Sequence, residues 1–191
     1  KTKSNPTLMM EMISLYLAQT PPLIDTIKQS FTDQNWPLLG AAAHKMIPSF
    51  YTEHTYFFAD THVKLRGLEQ ASFISPMKTA IAKGLHPTNH TDFNVVPIDQ
   101  MFVIWSAVNR ISRNGIVIGA DERITPYQAL QAITTNVAYQ YFEENSKGSL
   151  KAGKLADLVI LDKNPLKVEA MKIKDILVVE TFKEGKSIYK K

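Results

Sequence analysis

The stretch LHPTNHTDFNVVP, residues 85–97, gathers His86, Asn89, His90 and Asp92 between apolar neighbours. In an extended chain His90 and Asp92 face the same side, because side chains alternate along a strand. An imidazole and a carboxylate placed together can hold a divalent metal or move a proton to and from a reacting group. A second group, His54, Asp60 and His62, lies in EHTYFFADTH, an aromatic loop expected after a strand. His54 there could meet a substrate carbonyl, although the spacing of the three matches no strong metal-ligand pattern. His44, in LLGAAAHKMIPSF, is a further candidate. The chain has no cysteine. A thiol nucleophile and a thiolate zinc site are therefore excluded, and any metal must be held by histidine and carboxylate. On the residues alone two other readings stay open. Asp92 could cap the helix expected near Pro97 or close a turn, and the histidines could simply bond backbone carbonyls. His86 reads as structural.

These side chains must be positioned by a folded domain, and the composition supports one. The chain has 191 residues, 45% hydrophobic and 21% charged, with a formal charge of +4. That balance is ordinary for a globular protein and argues against disorder. Toward the C-terminus lysines alternate with apolar positions, as on the solvent side of strands. Nucleic-acid surfaces more often cluster arginine with aromatics, so nucleic acid is not an expected partner. No apolar run approaches the ~20 residues of a membrane span. The opening KTKSNPTLMMEMISLYLAQTPP is a poor signal peptide, because Glu11 interrupts its apolar stretch and no small-residue cleavage site follows. It reads as the interior of a longer protein, and the expected compartment is the cytoplasm.

The elements follow from pattern. NPTLMMEMISLYLAQ reads as a short helix, with Asn5 as N-cap and Pro6 at its first position. PPLIDTIKQSFTDQN is a clearer helix, with Leu23, Ile27 and Phe31 at helical spacing. WPLLGAAA and KMIPSFYT read as strands. A helix is expected from about Pro76, ended by Gly84, and then strand and loop through Asp92. PIDQMFVIWSAVNRISR is an amphipathic helix with Met101, Ile104, Trp105, Val108 and Ile111 on one face. ITPYQALQAITTNVAYQYF is the best-marked helix: Thr125 caps it, Pro126 sits at N1 and Gln128 completes a capping box. Its inward stripe is Leu130, Ile133, Val137 and Tyr141. DLVILD is a strand, and IKDILVVETFKEGKSIYK a hairpin turning at Glu184-Gly185. The expected organisation is an α/β part, residues 1–145, and a small β part, residues 146–191.

KGSLKAGKLADLVILDKNPL resembles the segment that closes amidohydrolase-superfamily enzymes, where the chain leaves the catalytic barrel for a small β-sandwich. PSFYTEHTYFFADTHV, ISPMKTAIAKGLHPTNHTDFNVVPIDQMFVIWSAVNR and ITPYQALQAITTNVAYQYFEENSKGSL are similar to amidohydrolase family 3, the branch that includes N-substituted formamide deformylases. The likeness runs from about Ile47 to Lys191. It implies an α/β fold, a partial TIM-type (β/α)8 barrel followed by a β-sandwich segment, with the site at the C-terminal strand ends. HPTNHTD would be the eighth barrel strand. Asp92 would bind a divalent metal, zinc, or take the proton of metal-bound water and pass it to the leaving nitrogen. His44 would be a metal ligand from the fifth strand, displaced by a few residues. His54, His62 and His90 would contact a small-molecule substrate, an amide or an N-substituted formamide. The sequence departs from the family in three ways. A barrel needs ~250 residues, no His-x-His pair precedes the site, and LLGAAAH runs into KMIPSF without room for a helix. The chain thus reads as a C-terminal part or an internally deleted form. A non-catalytic remnant serving as an interaction module is the competing expectation, and homo-oligomerisation is left open.

Overall fold

A computed structural model describes residues 21–43 and 47–191. Two compact units divide the chain, residues 1–47 and residues 48–191. In the first, residues 21–32 are helical and are numbered α1. Leu23 and Ile27 of its expected stripe are half-buried; Phe31 is exposed and meets Trp36 edge-on at 6.2 Å. The segment WPLLGAAA is not the expected buried strand but helix α2, Trp36–Ala43. The side chain of Asn35 accepts the Leu38 N–H at 3.1 Å, giving an N-cap, and Pro37 sits in the first turn. The alanine run favours helix strongly enough that Gly40 does not break it, and Trp36 and Leu38 stay exposed. His44 and the helix expected over NPTLMMEMISLYLAQ lie outside the described residues.

The second unit is mixed α/β, with a parallel pair and a separate antiparallel sheet. Strand β1 (Ser49–Phe50) pairs in parallel with β2 (Thr88–Asn89), with Ser49 opposite Thr88 and Phe50 opposite Asn89. Thr88 N–H donates to Pro48 O, and His90 N–H to Phe50 O, each at 3.0 Å. Parallel neighbours need a crossover. It is supplied by α3 (His54–Phe57), α4 (Ala59–Ser72) and α5 (Met77–Ala82). The segment expected as an aromatic loop is therefore helical. Gly84 adopts φ 77°, and the N–H groups of Gly84 and Leu85 return to Ile81 O and Ala80 O, the close expected for α5.

Helix α6 (Gln100–Asn109) runs through the core: Met101, Val103, Ile104, Trp105, Ala107 and Val108 are buried. Its C-cap is Arg110, fully buried and left-handed. The guanidinium donates to the carbonyls of Ser72, Ile74, Ser75 and Ile118 at 2.6–3.1 Å. That satisfies the end of α4 and the chain beyond α6 in one stroke, as a buried cation requires. A 3₁₀ turn over Ala120–Glu122 lies beside α5, and both Glu122 oxygens accept from Thr79 at the start of that helix.

Helix α7 (Pro126–Ile133) begins with the expected capping box. The single helix expected to continue past it is broken at Thr134 (φ −131°, ψ −86°), and α8 (Thr135–Gln140) follows. Three β-branched residues, Ile133, Thr134 and Thr135, follow one another there, and the Thr134 hydroxyl bonds back to Leu130 O at 2.6 Å. Gly148 packs against this break: a Cβ on it would lie 2.5 Å from Ala138 Cβ and 3.1 Å from Thr134 O. Strands β3 (Leu158–Leu161), β4 (Val178–Lys183) and β5 (Lys186–Lys190) form an antiparallel sheet in that order. Glu184 and Gly185, both at positive φ, make the expected hairpin turn. The 3₁₀ stretch Ala170–Asp175 before β4 buries Ile173 in the α6 core, and Asn109 donates to Ala170 O at 3.0 Å. Among the described residues no helix is long and apolar enough to cross a membrane.

Candidate functional site

Because β1 and β2 are parallel, their C-terminal ends emerge at the same end of the pair. Chain leaving β1 delivers Tyr51, Thr52, Glu53 and His54; chain leaving β2 delivers His90, Thr91 and Asp92. The register sets Tyr51 beside His90, and their rings stack at 5.8 Å and 22°. Tyr51 is buried, with His54 4.6 Å away on ring centroids. Helix α3 divides its faces. Tyr56 enters the core against Phe102 and Trp105, at 5.0 and 5.7 Å. His54 is held instead beside Phe58 at 5.4 Å and His62 at 5.9 Å. Three of the expected substrate-contacting histidines, His54, His62 and His90, are thus gathered around Tyr51 and Phe58.

A buried polar network fixes the two strand ends. Thr52 N–H donates to Asn89 Oδ1 at 3.2 Å, and Asn89 Nδ2 donates to Thr52 Oγ1 at 2.8 Å. The Thr52 and Ser106 hydroxyls bond at 2.7 Å, and Ser106 Oγ donates to Val103 O at 2.9 Å. This pins both strand ends to α6, and each polar group is partnered, as burial demands.

Asp92 is exposed and left-handed, at φ 53°. Its N–H donates to His90 Nδ1 at 3.0 Å, and its carbonyl accepts from Val95 N–H at 2.7 Å. It does not cap the following helix; Asp99 does, accepting the Phe102 N–H at 3.0 Å. The Asp92 carboxylate, bonded to none of the described residues, is near enough for its charge to be felt at Tyr51 and His54. Tyr51 is pushed up to about 12 by burial, then by Glu53 and Asp92. Burial lowers His54, as do the charges of His62 and His90, while Asp92 opposes them. Glu53, 1% exposed, is raised to about 8 by burial and by Asp99. At neutral pH the site therefore holds an uncharged phenol, a largely protonated Glu53 and a neutral His54.

Asp60 is committed elsewhere, accepting the Ser112 hydroxyl at 2.7 Å. His86 packs edge-on against Tyr139 at 5.5 Å. Among the described residues no three His, Cys, Asp or Glu side chains stand together as a metal site. The described residues therefore do not fit a bound metal by themselves. Sequence reasoning placed Tyr51 in an aromatic substrate wall running to His62 but gave no individual role to Thr52, Glu53 or Asn89. Asn89 lay within the quoted polar stretch, and Glu53 beside His54, but only the strand pairing shows that they meet.

The sequence matches the amidohydrolase family over residues 37–189. It is 26% identical over 110 residues to an N-substituted formamide deformylase of Arthrobacter pascens, covering 58% of this chain and 20% of that protein. It is 28% identical over 117 residues to the putative amidohydrolase YtcJ of Bacillus subtilis, covering 60% of this chain and 22% of that one. The chain thus spans about a fifth of the length of these curated relatives. An uncharacterized metal-dependent hydrolase of Pyrococcus horikoshii shares the fold, with a TM-score of 0.57 and 22% identity over 72% of this chain and 28% of that chain.

Proposed function

This chain belongs to the amidohydrolase family, and we propose that it serves hydrolysis of carbon–nitrogen bonds other than peptide bonds, in amides or N-substituted formamides. The observation that carries the reading is the parallel register of β1 and β2, which sets His54 and Asp92 at one end of the pair. In this reading β1 and β2 are neighbouring strands of a partial (β/α)8 barrel, whose chemistry belongs at the C-terminal strand ends. Residues 146–191 brace it as a small β-sandwich segment.

Asp92 is the proton carrier. A carboxylate free of other bonds takes a proton from water as it attacks the acyl carbon, then returns it to the departing nitrogen. Neutral His54 donates to the acyl oxygen, where negative charge gathers in the transition state. His62 and His90 contact the substrate from the sides, and Tyr51 and Phe58 form an aromatic wall that excludes water. Zinc with Asp92 and His44 remains part of the expectation for the family, but no step is assigned to it, since the described residues do not assemble its ligands.

The test is a substrate panel with the full chain: N-substituted formamides, simple amides, esters and peptides. Amine release from formamides or amides, with peptides untouched, is the expected result. Cleavage of peptides or esters alone would remove the reading.

A further inference from the structure

We infer that His90 is a positioning residue that sets Asp92 through one fixed imidazole tautomer. The Asp92 N–H points at His90 Nδ1 at 3.0 Å. Only an unprotonated ring nitrogen can accept that bond, so the neutral ring carries its proton on Nε2. Three further features hold the arrangement. The His90 N–H extends the strand ladder to Phe50 O at 3.0 Å. The buried Tyr51 ring lies stacked on the imidazole. Asp92 itself takes φ 53°, the left-handed region that Asp enters more readily than most side chains and that turns its N–H toward the imidazole.

The arrangement has two consequences. The carboxylate of Asp92 is aimed through its own backbone N–H, held by the imidazole two residues earlier, rather than by a partner of the carboxylate itself. The second imidazole nitrogen, Nε2, is left as a fixed donor on an exposed residue. It suits an acceptor such as the acyl oxygen or an amide carbonyl of a substrate. That Asp92 is the group worth aiming rests on the hydrolase reading; the tautomer and the hydrogen bond do not.

The test separates the two. Nitrogen-15 NMR of the imidazole in mildly alkaline buffer reads the tautomer directly. The expected result is a protonated Nε2 and a bare Nδ1; a proton on Nδ1 would overturn the inference. Amide exchange at Asp92 reads the bond. In His90→Ala, protection of that amide should fall about tenfold. His90→Asn, whose side-chain oxygen can stand where Nδ1 stood, should keep it within about threefold. Equal protection in the native chain and His90→Ala would also overturn it. On any substrate that the chain turns over, His90→Asn should raise KM while sparing kcat, and His90→Ala should lower kcat. If the tautomer and exchange results hold and no amide is cleaved, the lock stands and the hydrolase reading fails.

Discussion

Glu53 offers a quantitative test of how the site is built. It is 1% exposed, and one carboxyl oxygen is buried without a hydrogen-bond partner among the described residues. Burial, reinforced by Asp99, raises it from 4.5 to about 8. Below 4.5 the folded and unfolded chains both hold the proton. Between the two values the folded chain holds more of it than the unfolded chain, so stability must fall as pH rises. Above 8 the folded state carries a buried charge and bears the whole cost. The gap corresponds to at most about 5 kcal/mol, a ceiling that water entering the site would lower. Glu53→Gln removes the titration and keeps the shape. Its unpartnered amide costs about 1–3 kcal/mol, but that cost does not change with pH. Urea unfolding of both proteins at about pH 4, 6 and 9 gives the comparison. The difference should move toward the variant by about 3–5 kcal/mol across that range. Curves that stay parallel within about 0.5 kcal/mol would refute the reasoning, since they would mean that Glu53 ionises freely in the folded protein.

Other substitutions probe the frame that carries the site. Arg110→Met leaves the carbonyls of Ser72, Ile74, Ser75 and Ile118 without their donor and should cost about 3 kcal/mol or more in urea unfolding. Gly119→Ala would place a Cβ 2.0 Å from Ser72 O at a φ of 63°, and should lower the thermal midpoint by several degrees, about 2 kcal/mol or more. Thr52→Val removes the hydroxyl shared by Asn89 and Ser106 and should cost about 1–3 kcal/mol. It should also loosen the β1–β2 ends, read as faster amide exchange at Thr52 and His90.

Local signals carried far along this chain. The Thr125–Gln128 box and the Glu184–Gly185 turn each depend on residues a few positions apart, and each stands where the pattern places it. Helix α6 also forms where expected, but it is buried nearly all round rather than on one face, and it ends before Ile111. WPLLGAAA misled because its apolar run suits a strand or a helix equally, and Asn35 with the alanines decides for helix. The break at Thr134 was hidden because the apolar spacing that follows the capping box runs on past it, and the close approach of Gly148 to it is a tertiary contact that no local pattern shows. The same limit applies at the site. Asp92, His90 and His54 stand out by residue type, whereas Tyr51, Glu53 and Asn89 gain their roles from a strand pairing 39 residues apart, Phe50 with Asn89.

The most direct measurement is the turnover of an N-substituted formamide by the full chain and by Asp92→Asn. Loss of the proton carrier should lower kcat by ~10²-fold or more, leaving KM within a few-fold. An Asp92→Asn protein that keeps its kcat within about tenfold would show that the carboxylate at the end of β2 is not where the chemistry happens.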